Sequence, residues 1–128
     1  MNAMFDSNIA DWLKLEALSD KDLYKTAFQT HHLGNIFIRS LHGGVTGAVM
    51  EMVSEDVTRQ QIEPGSKMMI TSSSIDYLRV TKDSDLYARA KIVRLSKRMS
   101  VVDVKSWQDD ETLPIARGVF TLKIERAD

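Results

Sequence analysis

Apolar and polar residues alternate through the second half of the chain with a period of two, which is the pattern of half-buried β-strands. The alternating segments are residues 68–80, 85–96, 99–108 and 114–125. One face of the second segment would carry Leu86, Ala88, Ala90 and Ile92, and one face of the last would carry Ala116, Gly118, Phe120, Leu122 and Ile124. We therefore predict four consecutive long strands that form an antiparallel meander.

A nearly continuous apolar run lies before these strands, from Val45 to about Asp56. The residues that recur at helical spacing are Val45, Ala48, Val49 and Met52, and other apolar residues occupy the remaining faces. A helix that is apolar on most sides is buried nearly all round. Residues 35–39 precede it as a short predicted strand. The order of these elements predicts an α+β fold in which an antiparallel sheet wraps around one helix.

The first thirty residues are predicted to be helical, with a break around Ser19. Ser7 can cap a first helix, and its apolar face would comprise Ile9, Trp12, Leu13 and Leu15. Ser19 and Asp22 have a spacing similar to that of a capping box, so a second helix would direct Leu23, Ala27 and Phe28 inward. These helices would be a peripheral addition, residues 1–30, to a single domain spanning residues 1–128.

Composition restricts the classes of function. The 128 residues carry 17 Lys and Arg against 18 Asp and Glu, and without a basic excess a nucleic-acid partner is not expected. The absence of Cys excludes disulfides, Cys-ligated zinc, iron–sulfur clusters and thiol catalysis. No apolar run approaches the roughly 20 residues of a membrane-spanning helix, and Met1 to Ala10 show no secretory signal. We therefore expect a cytoplasmic protein with no membrane partner.

Glu51 stands in the middle of the apolar run, between Met50 and Met52. Burial of a carboxylate is costly unless the group is paired or takes up a proton. Glu51 can therefore face a solvent gap, pair with a cation across an interface, or act as a general base or nucleophile in a partly apolar cleft.

Two glycines, Gly43 and Gly44, follow His42 directly before the predicted helix. Glycine lets the backbone approach a ligand closely, and the free N–H groups of a helix N-terminus favour developing negative charge. Two glycines before a helix also form an ordinary turn. Their combination with Glu51 is more specific than either feature alone.

His42-Gly43-Gly44, with an acidic residue nine positions after the histidine, resembles the active-site signature of hotdog-fold acyl-CoA thioesterases of the phenylacetate-degradation (PaaI-like) type. The segments Ile75-Asp76-Tyr77-Leu78-Arg79 and Trp107-Gln108-Asp109 are similar to the family's strands, and the resemblance covers about Leu33 to Ile124. It implies a hotdog fold, with an antiparallel sheet of about five to six strands around a central helix. It also implies an acyl-CoA substrate and no dissociable cofactor or metal.

The resemblance implies catalytic roles for three residues. In such enzymes the first glycine after the histidine donates its N–H to the thioester carbonyl, which here is Gly43, and the helix acid, here Glu51, is the nucleophile or the general base. His42 would shape the loop that presents Gly43, and Gly44 would contact the substrate. On one helix Gly43 and Glu51 are about 12 Å apart, whereas reacting groups lie near 3 Å. The chemistry therefore requires at least a homodimer with two shared sites, and the resemblance implies the same assembly, often with dimers paired into homotetramers.

Two positions differ from the family pattern. Ile36 stands six residues before His42, where family members often carry Asn or Gln, and Asn35 lies one residue earlier. A β-bulge could bring Asn35 into the substrate-binding position. Glu55 replaces a small hydroxyl residue four positions after Glu51. A non-catalytic acyl-CoA binding or sensing protein is therefore one alternative, and a hydratase or dehydratase acting on acyl thioesters is another.

A basic cluster at a strand turn resembles the family's nucleotide-binding edge, and its candidate ligands for CoA phosphates are Arg94, Ser96, Lys97 and Arg98. An ordinary solvated turn is the alternative. His31 and His32 are adjacent and do not face one ion, so no metal site is predicted. The acyl chain, and the choice between CoA and acyl-carrier protein, stay open.

Overall fold

The computed structural model of the chain describes residues 8–18, 22–35, 40–41 and 43–127. In chain order the elements are α1 (Asn8–Leu13), β1 (Leu15–Ala17), β2 (Leu23–Thr26), a short 3₁₀ helix (Thr30–His32), β3 (Leu33–Asn35), β4 (Ser40–Leu41), α2 (Gly43–Arg59), β5 (Lys67–Tyr77), β6 (Leu86–Leu95), β7 (Met99–Trp107) and β8 (Ala116–Glu125). The long helix and the four long strands lie where the sequence predicts them. Most of the strand predicted at 35–39 lies outside the described residues. Within the described ranges, no helix combines the length and the apolarity that crossing a membrane requires.

Six strands form one antiparallel sheet in the order β1–β2–β6–β7–β8–β5, and β3 pairs with β4 separately. Because β5 pairs with β8, the predicted four-strand meander is wrong, and only β6, β7 and β8 form a meander. The segment after β5 crosses the end of the sheet, where the N–H groups of Leu78 and Arg79 donate to the Ile115 carbonyl. Periodicity shows which face a strand buries, but it does not show which strand lies beside it.

The inner face of the sheet packs against α2 and forms the core. The predicted alternation is confirmed in β6 and β8, where the buried inward residues include Leu86, Ala88, Ala90, Phe120 and Leu122. Gly118 leaves room for this contact, because a Cβ there would lie 2.9 Å from the Phe120 ring and 3.0 Å from the Met50 methyl group. One sheet around one long helix confirms the predicted α+β hotdog architecture.

One side of α2 is open, which corrects the prediction that this helix is buried nearly all round. Val49, Met50 and Val53 are buried against the sheet, whereas Glu51 and Arg59 are exposed. The sheet covers the helix from one side only. The apolar run looked continuous because half-buried residues, among them Ala48 and Met52, border the open side.

The prediction of two N-terminal helices is half right. α1 is present, although Ile9 and Trp12 on its predicted inward face are exposed. Leu15, which is predicted on the first helix, lies instead in β1, and β2 takes the place of the second helix, with β1 pairing with β2 and β2 with β6. Tyr24 of β2 is fully buried, so pairing with the sheet edge outweighs the weak local helical preference. The predicted caps Ser7 and Ser19 lie outside the described residues.

Candidate functional site

The N-terminus of α2 presents Gly43 at the protein surface. Gly43 is the first residue of the helix, and a Cβ added to it would meet no heavy atom of the described residues within 4 Å. The first N–H groups of a helix lack a carbonyl partner within the helix, and the helix dipole favours negative charge there. Packing against the residues that the structure describes therefore gives no reason for glycine at this position. Gly44 follows as a second exposed residue, whereas His42 lies outside the described residues.

Tyr77, at the end of β5, holds this end of the helix. Its hydroxyl donates a hydrogen bond to the Gly43 carbonyl at 3.2 Å. A Cβ added to Gly47 would lie 3.4 Å from the Tyr77 hydroxyl and 3.7 Å from Ile75 Cδ1. The sequence motif contains Tyr77, but its contact with α2 joins distant parts of the chain that no local pattern connects.

Glu51 lies eight residues after Gly43 on the same helix, and its side chain is exposed. In the single chain it faces solvent, which is one of the alternatives that the sequence left open. The helical rise places the two residues about 12 Å apart. Glu55, one turn further, is half-buried. Burial raises the pKa of Glu55, with Arg59 opposing this effect and the negative charge of Glu51 adding to it.

Asn35 ends strand β3, and its side chain lies outside the described part of the chain, as does Ile36. The pairing of β3 with β4 is irregular between Leu33 and Asn35. If Asn35 is to bind the substrate where family members use the residue at position 36, the strand register must shift in this way. Substrate binding by Asn35 stays a prediction.

The turn between β6 and β7 exposes the predicted basic residues. The backbone N–H and the hydroxyl of Ser96 both donate to the Met99 carbonyl, at 2.8 and 3.3 Å. These bonds close the turn, and the side chains of Lys97 and Arg98 are exposed at its tip. The Ser96 hydroxyl proton is therefore used within the turn.

Lys97 and Arg98 line a shallow cavity of about 440 Å³ that also includes Lys123 and Arg126. The sequence analysis did not identify Lys123 and Arg126. Their only signal in the sequence is that they are basic residues at the end of β8 and just after it. Arg94 is exposed on β6 next to a register irregularity and does not line the cavity. The structure thus brings Lys97 and Arg98 together and leaves Arg94 outside.

Within one chain, Gly43 and the basic turn lie at opposite ends of the sheet. Tyr77, which contacts Gly43, pairs with Ala116 at the start of β8. The N–H of Ile124, near the other end of β8, donates to the Arg98 carbonyl at 2.8 Å. Eight steps along β8 correspond to about 27 Å. In a single copy, Gly43 and the basic turn are therefore too far apart to contact the same small chemical group.

The two adjacent histidines have a structural role. Nε2 of His31 and Nε2 of His32 both contact the Trp12 carbonyl, at 2.7 and 3.0 Å, so the expectation that the two rings do not face one atom is wrong. His32 is fully buried. No group of three or more potential metal-ligating side chains occurs among the residues that the structure describes.

Solved structures with the same fold come from several bacteria. A Bacillus halodurans protein whose crystal structure contains CoA has a TM-score of 0.82 at 19% identity, over 93% of this chain and 76% of that one. A Haemophilus influenzae thioesterase has a TM-score of 0.84 at 19% identity, over 98% of this chain and 87% of that one. A phenylacetic acid degradation-related protein of Ralstonia eutropha has a TM-score of 0.77 at 19% identity, over 90% of this chain and 88% of that one. At this identity the likeness establishes the fold.

The family follows from a sequence comparison. No curated protein sequence matches the chain significantly. The profile of the thioesterase superfamily, in contrast, matches residues 39–115, which is more than half of the chain. That range contains Gly43, Glu51 and the basic turn. The chain therefore belongs to the thioesterase superfamily.

Proposed function

We propose that the chain hydrolyses acyl-CoA thioesters at a site that two copies share. Membership of the superfamily makes thioester hydrolysis the general activity, and the CoA held by the Bacillus halodurans protein supports CoA as the carrier. One observation carries the proposal: Gly43 and Glu51 are both exposed, at the start and on the open side of one helix.

Gly43 and Glu51 supply the two groups that thioester hydrolysis needs. The Gly43 N–H, at the positive end of the helix dipole, stabilises the oxyanion that forms on the thioester carbonyl. Glu51 either accepts a proton from an attacking water or attacks the carbonyl carbon itself. The C–S bond then breaks and CoA leaves as a thiolate, so no strong general acid is needed. Attack by water gives the free acid directly, whereas attack by Glu51 leaves an acyl anhydride on its carboxylate, which a water molecule then hydrolyses to the free acid.

Two copies are needed because about 12 Å of helix separates Gly43 from Glu51, whereas both groups must contact one thioester. Antiparallel pairing of two α2 helices through their open sides places Gly43 of one copy beside Glu51 of the other. The edge of the sheet supports such pairing. β5 is its last strand, and among the described residues no strand pairs with its outer edge, which makes that edge a template for a second copy.

The test measures CoA release from short, medium and aromatic acyl-CoAs. Because the chain has no Cys, a thiol reagent reports released CoA only. We expect Glu51→Gln to lower kcat by roughly two orders of magnitude, the scale for loss of a catalytic acid–base group. The matched control is Glu55→Gln, which makes the same chemical change one turn away and should retain most of the activity.

Two results would contradict this proposal. Unchanged turnover in Glu51→Gln would remove the carboxylate from the mechanism while leaving the hydrolase in place. CoA binding by the wild type without turnover of any acyl-CoA would favour the non-catalytic binding or sensing protein.

A further inference from the structure

Arg126, just after β8, joins the basic turn to the rest of the fold. Its Nε donates to the Lys97 carbonyl at 3.1 Å, and its Nη2 donates to the Ser96 carbonyl at 3.0 Å. Its Nη1 donates to both carboxylate oxygens of Glu63, at 3.1 and 3.2 Å. Three of its nitrogens are therefore engaged, and Glu63 balances its charge.

Backbone bonds complete the same support. The Ile124 N–H donates to the Arg98 carbonyl at 2.8 Å, and the Ala127 N–H donates to the Ser66 hydroxyl at 2.9 Å. The Ser66 N–H in turn donates to the Glu63 carbonyl at 3.1 Å. The turn, the end of β8 and the loop after α2 thus form one hydrogen-bonded unit.

The other cations of the cavity are free to bind a ligand. Within the described part of the chain, Lys97, Arg98 and Lys123 form no ion pair, although all three line the cavity of about 440 Å³. One carboxylate, Glu125, lines it as well. Charge-assisted bonds from Lys and Arg are the contacts that bind phosphate.

We propose that Arg126 is a positioning residue that fixes Lys97 and Arg98 for the phosphate groups of the substrate nucleotide, with Lys123 as a third phosphate ligand. This inference rests on the proposed function, because it assigns the CoA phosphates to this cavity. Arg126 acts on the substrate only through the carbonyls of Ser96 and Lys97. Its loss therefore weakens nucleotide binding and leaves the thioester chemistry unchanged.

The experiment compares Arg126→Ala and Arg126→Lys with Arg117→Ala, a control that removes an exposed arginine on the outer face of the same strand. We expect Arg126→Ala to raise the KM for acyl-CoA about tenfold, as for the loss of a bond to a charged group, with kcat within twofold. Arg126→Lys keeps the charge but replaces the three nitrogens that bond the two carbonyls and Glu63 by one, so most of the effect should persist. Arg117→Ala should match the wild type.

Two further measurements distinguish positioning from a general loss of structure. The same acyl group on pantetheine, which lacks the nucleotide, should give equal kcat/KM for Arg126→Ala and the wild type. In a Lys97→Ala/Arg98→Ala background the additional Arg126→Ala change should have little effect on KM, because the side chains that Arg126 positions are already absent.

An unchanged KM in folded Arg126→Ala would overturn the inference, as would an equal loss with the pantetheine thioester. If the wild type hydrolyses no acyl-CoA, the proposed function fails, and titration with CoA and 3′-dephospho-CoA still decides this inference. Weaker CoA binding in Arg126→Lys would then uphold it, and equal binding would overturn it. Should Arg126→Ala fail to fold, Arg126→Lys supplies every comparison.

Discussion

Gly43 and Gly118 occupy regular elements for opposite reasons. A Cβ on Gly118 would lie 2.9 Å from the buried Phe120 ring and 3.0 Å from the Met50 methyl group, whereas a Cβ on Gly43 would meet none of the described residues' atoms within 4 Å. Neighbours inside the core therefore account for Gly118. At Gly43 the space is open to whatever approaches the helix from outside the chain, which agrees with a role in binding the substrate.

Replacement of Gly43 by Pro or Ala tests whether its N–H or its small size matters. Proline removes the N–H, and its fixed φ suits the first position of a helix, so the fold should survive. We expect Gly43→Pro to lose about a hundredfold in kcat, the scale for one oxyanion donor. Gly43→Ala keeps the N–H and controls for added bulk. An equal loss of kcat in the two variants would show that space, and not the donor, is what the site requires, and wild-type kcat in Gly43→Pro would remove the Gly43 N–H from the mechanism.

The N-terminal elements show how tertiary pairing overrides local sequence signals. Tyr24 in β2 pairs with Ala88 of β6, and its hydroxyl donates to the carboxylate of Asp56 on α2. Burial, together with this carboxylate, raises the pKa of Tyr24. The segment around Tyr24, whose local sequence favours a helix, therefore forms a strand, because Tyr24 is buried between the sheet edge and α2.

Elements with a strong period could be predicted from the sequence, but their neighbours could not. β6, β7, β8 and α2 follow from periods of two and 3.6 residues that burial imposes, whereas residues 71–74 of β5 are all exposed and show no such period. The pairing of β5 with β8 produces no periodic pattern in the sequence from which it could be predicted. The site divides in the same way: Gly43, Glu51, Lys97 and Arg98 belong to short motifs, whereas Arg126 is recognised only through the carbonyls that it contacts in space.

The 3₁₀ helix makes stability depend on pH through His32. Burial lowers the pKa of His32, the hydrogen bond to the Trp12 carbonyl opposes this, and nearby His31 lowers it further. Between this lowered pKa and the unfolded value of about 6.5, the unfolded chain binds more protons. The free energy of unfolding should therefore fall as the pH drops below about 6.5. Denaturation between pH 5.5 and 7.5 checks this, and His32→Gln should show a smaller slope; equal slopes would refute it.

At the scale of the whole molecule, the placement of α2 predicts which copy would supply each part of the proposed shared site. The Thr58 hydroxyl, near the end of α2, bonds to the Ser100 hydroxyl at 2.9 Å, next to the basic turn. Along the helix, Thr58 is about 10 Å from Glu51 and about 22 Å from Gly43. In the proposed dimer, a thioester held by Glu51 of one copy and Gly43 of the other would therefore lie nearer to the basic turn of the copy that supplies Glu51.

Mixed dimers of defined composition test this arrangement. Co-expression with two affinity tags isolates dimers that pair a Glu51→Gln chain with a second variant chain. With Gly43→Pro as the second chain, one of the two sites is intact, so we expect about half of the wild-type kcat per dimer at the wild-type KM. Activity no higher than that of either parent would exclude a shared site.

The second pairing combines Glu51→Gln with Lys97→Ala/Arg98→Ala. If the basic turn and Glu51 act from the same copy, the site with an intact Glu51 has a damaged turn, so the mixed dimer should keep the raised KM of the turn variant. If the turn instead serves the site to which its own chain contributes Gly43, the site with intact Glu51 would recruit the undamaged turn. The mixed dimer would then recover the wild-type KM, and this result would reverse the assignment. The two pairings differ only in the second variant, so the first controls for assembly and tagging in the second.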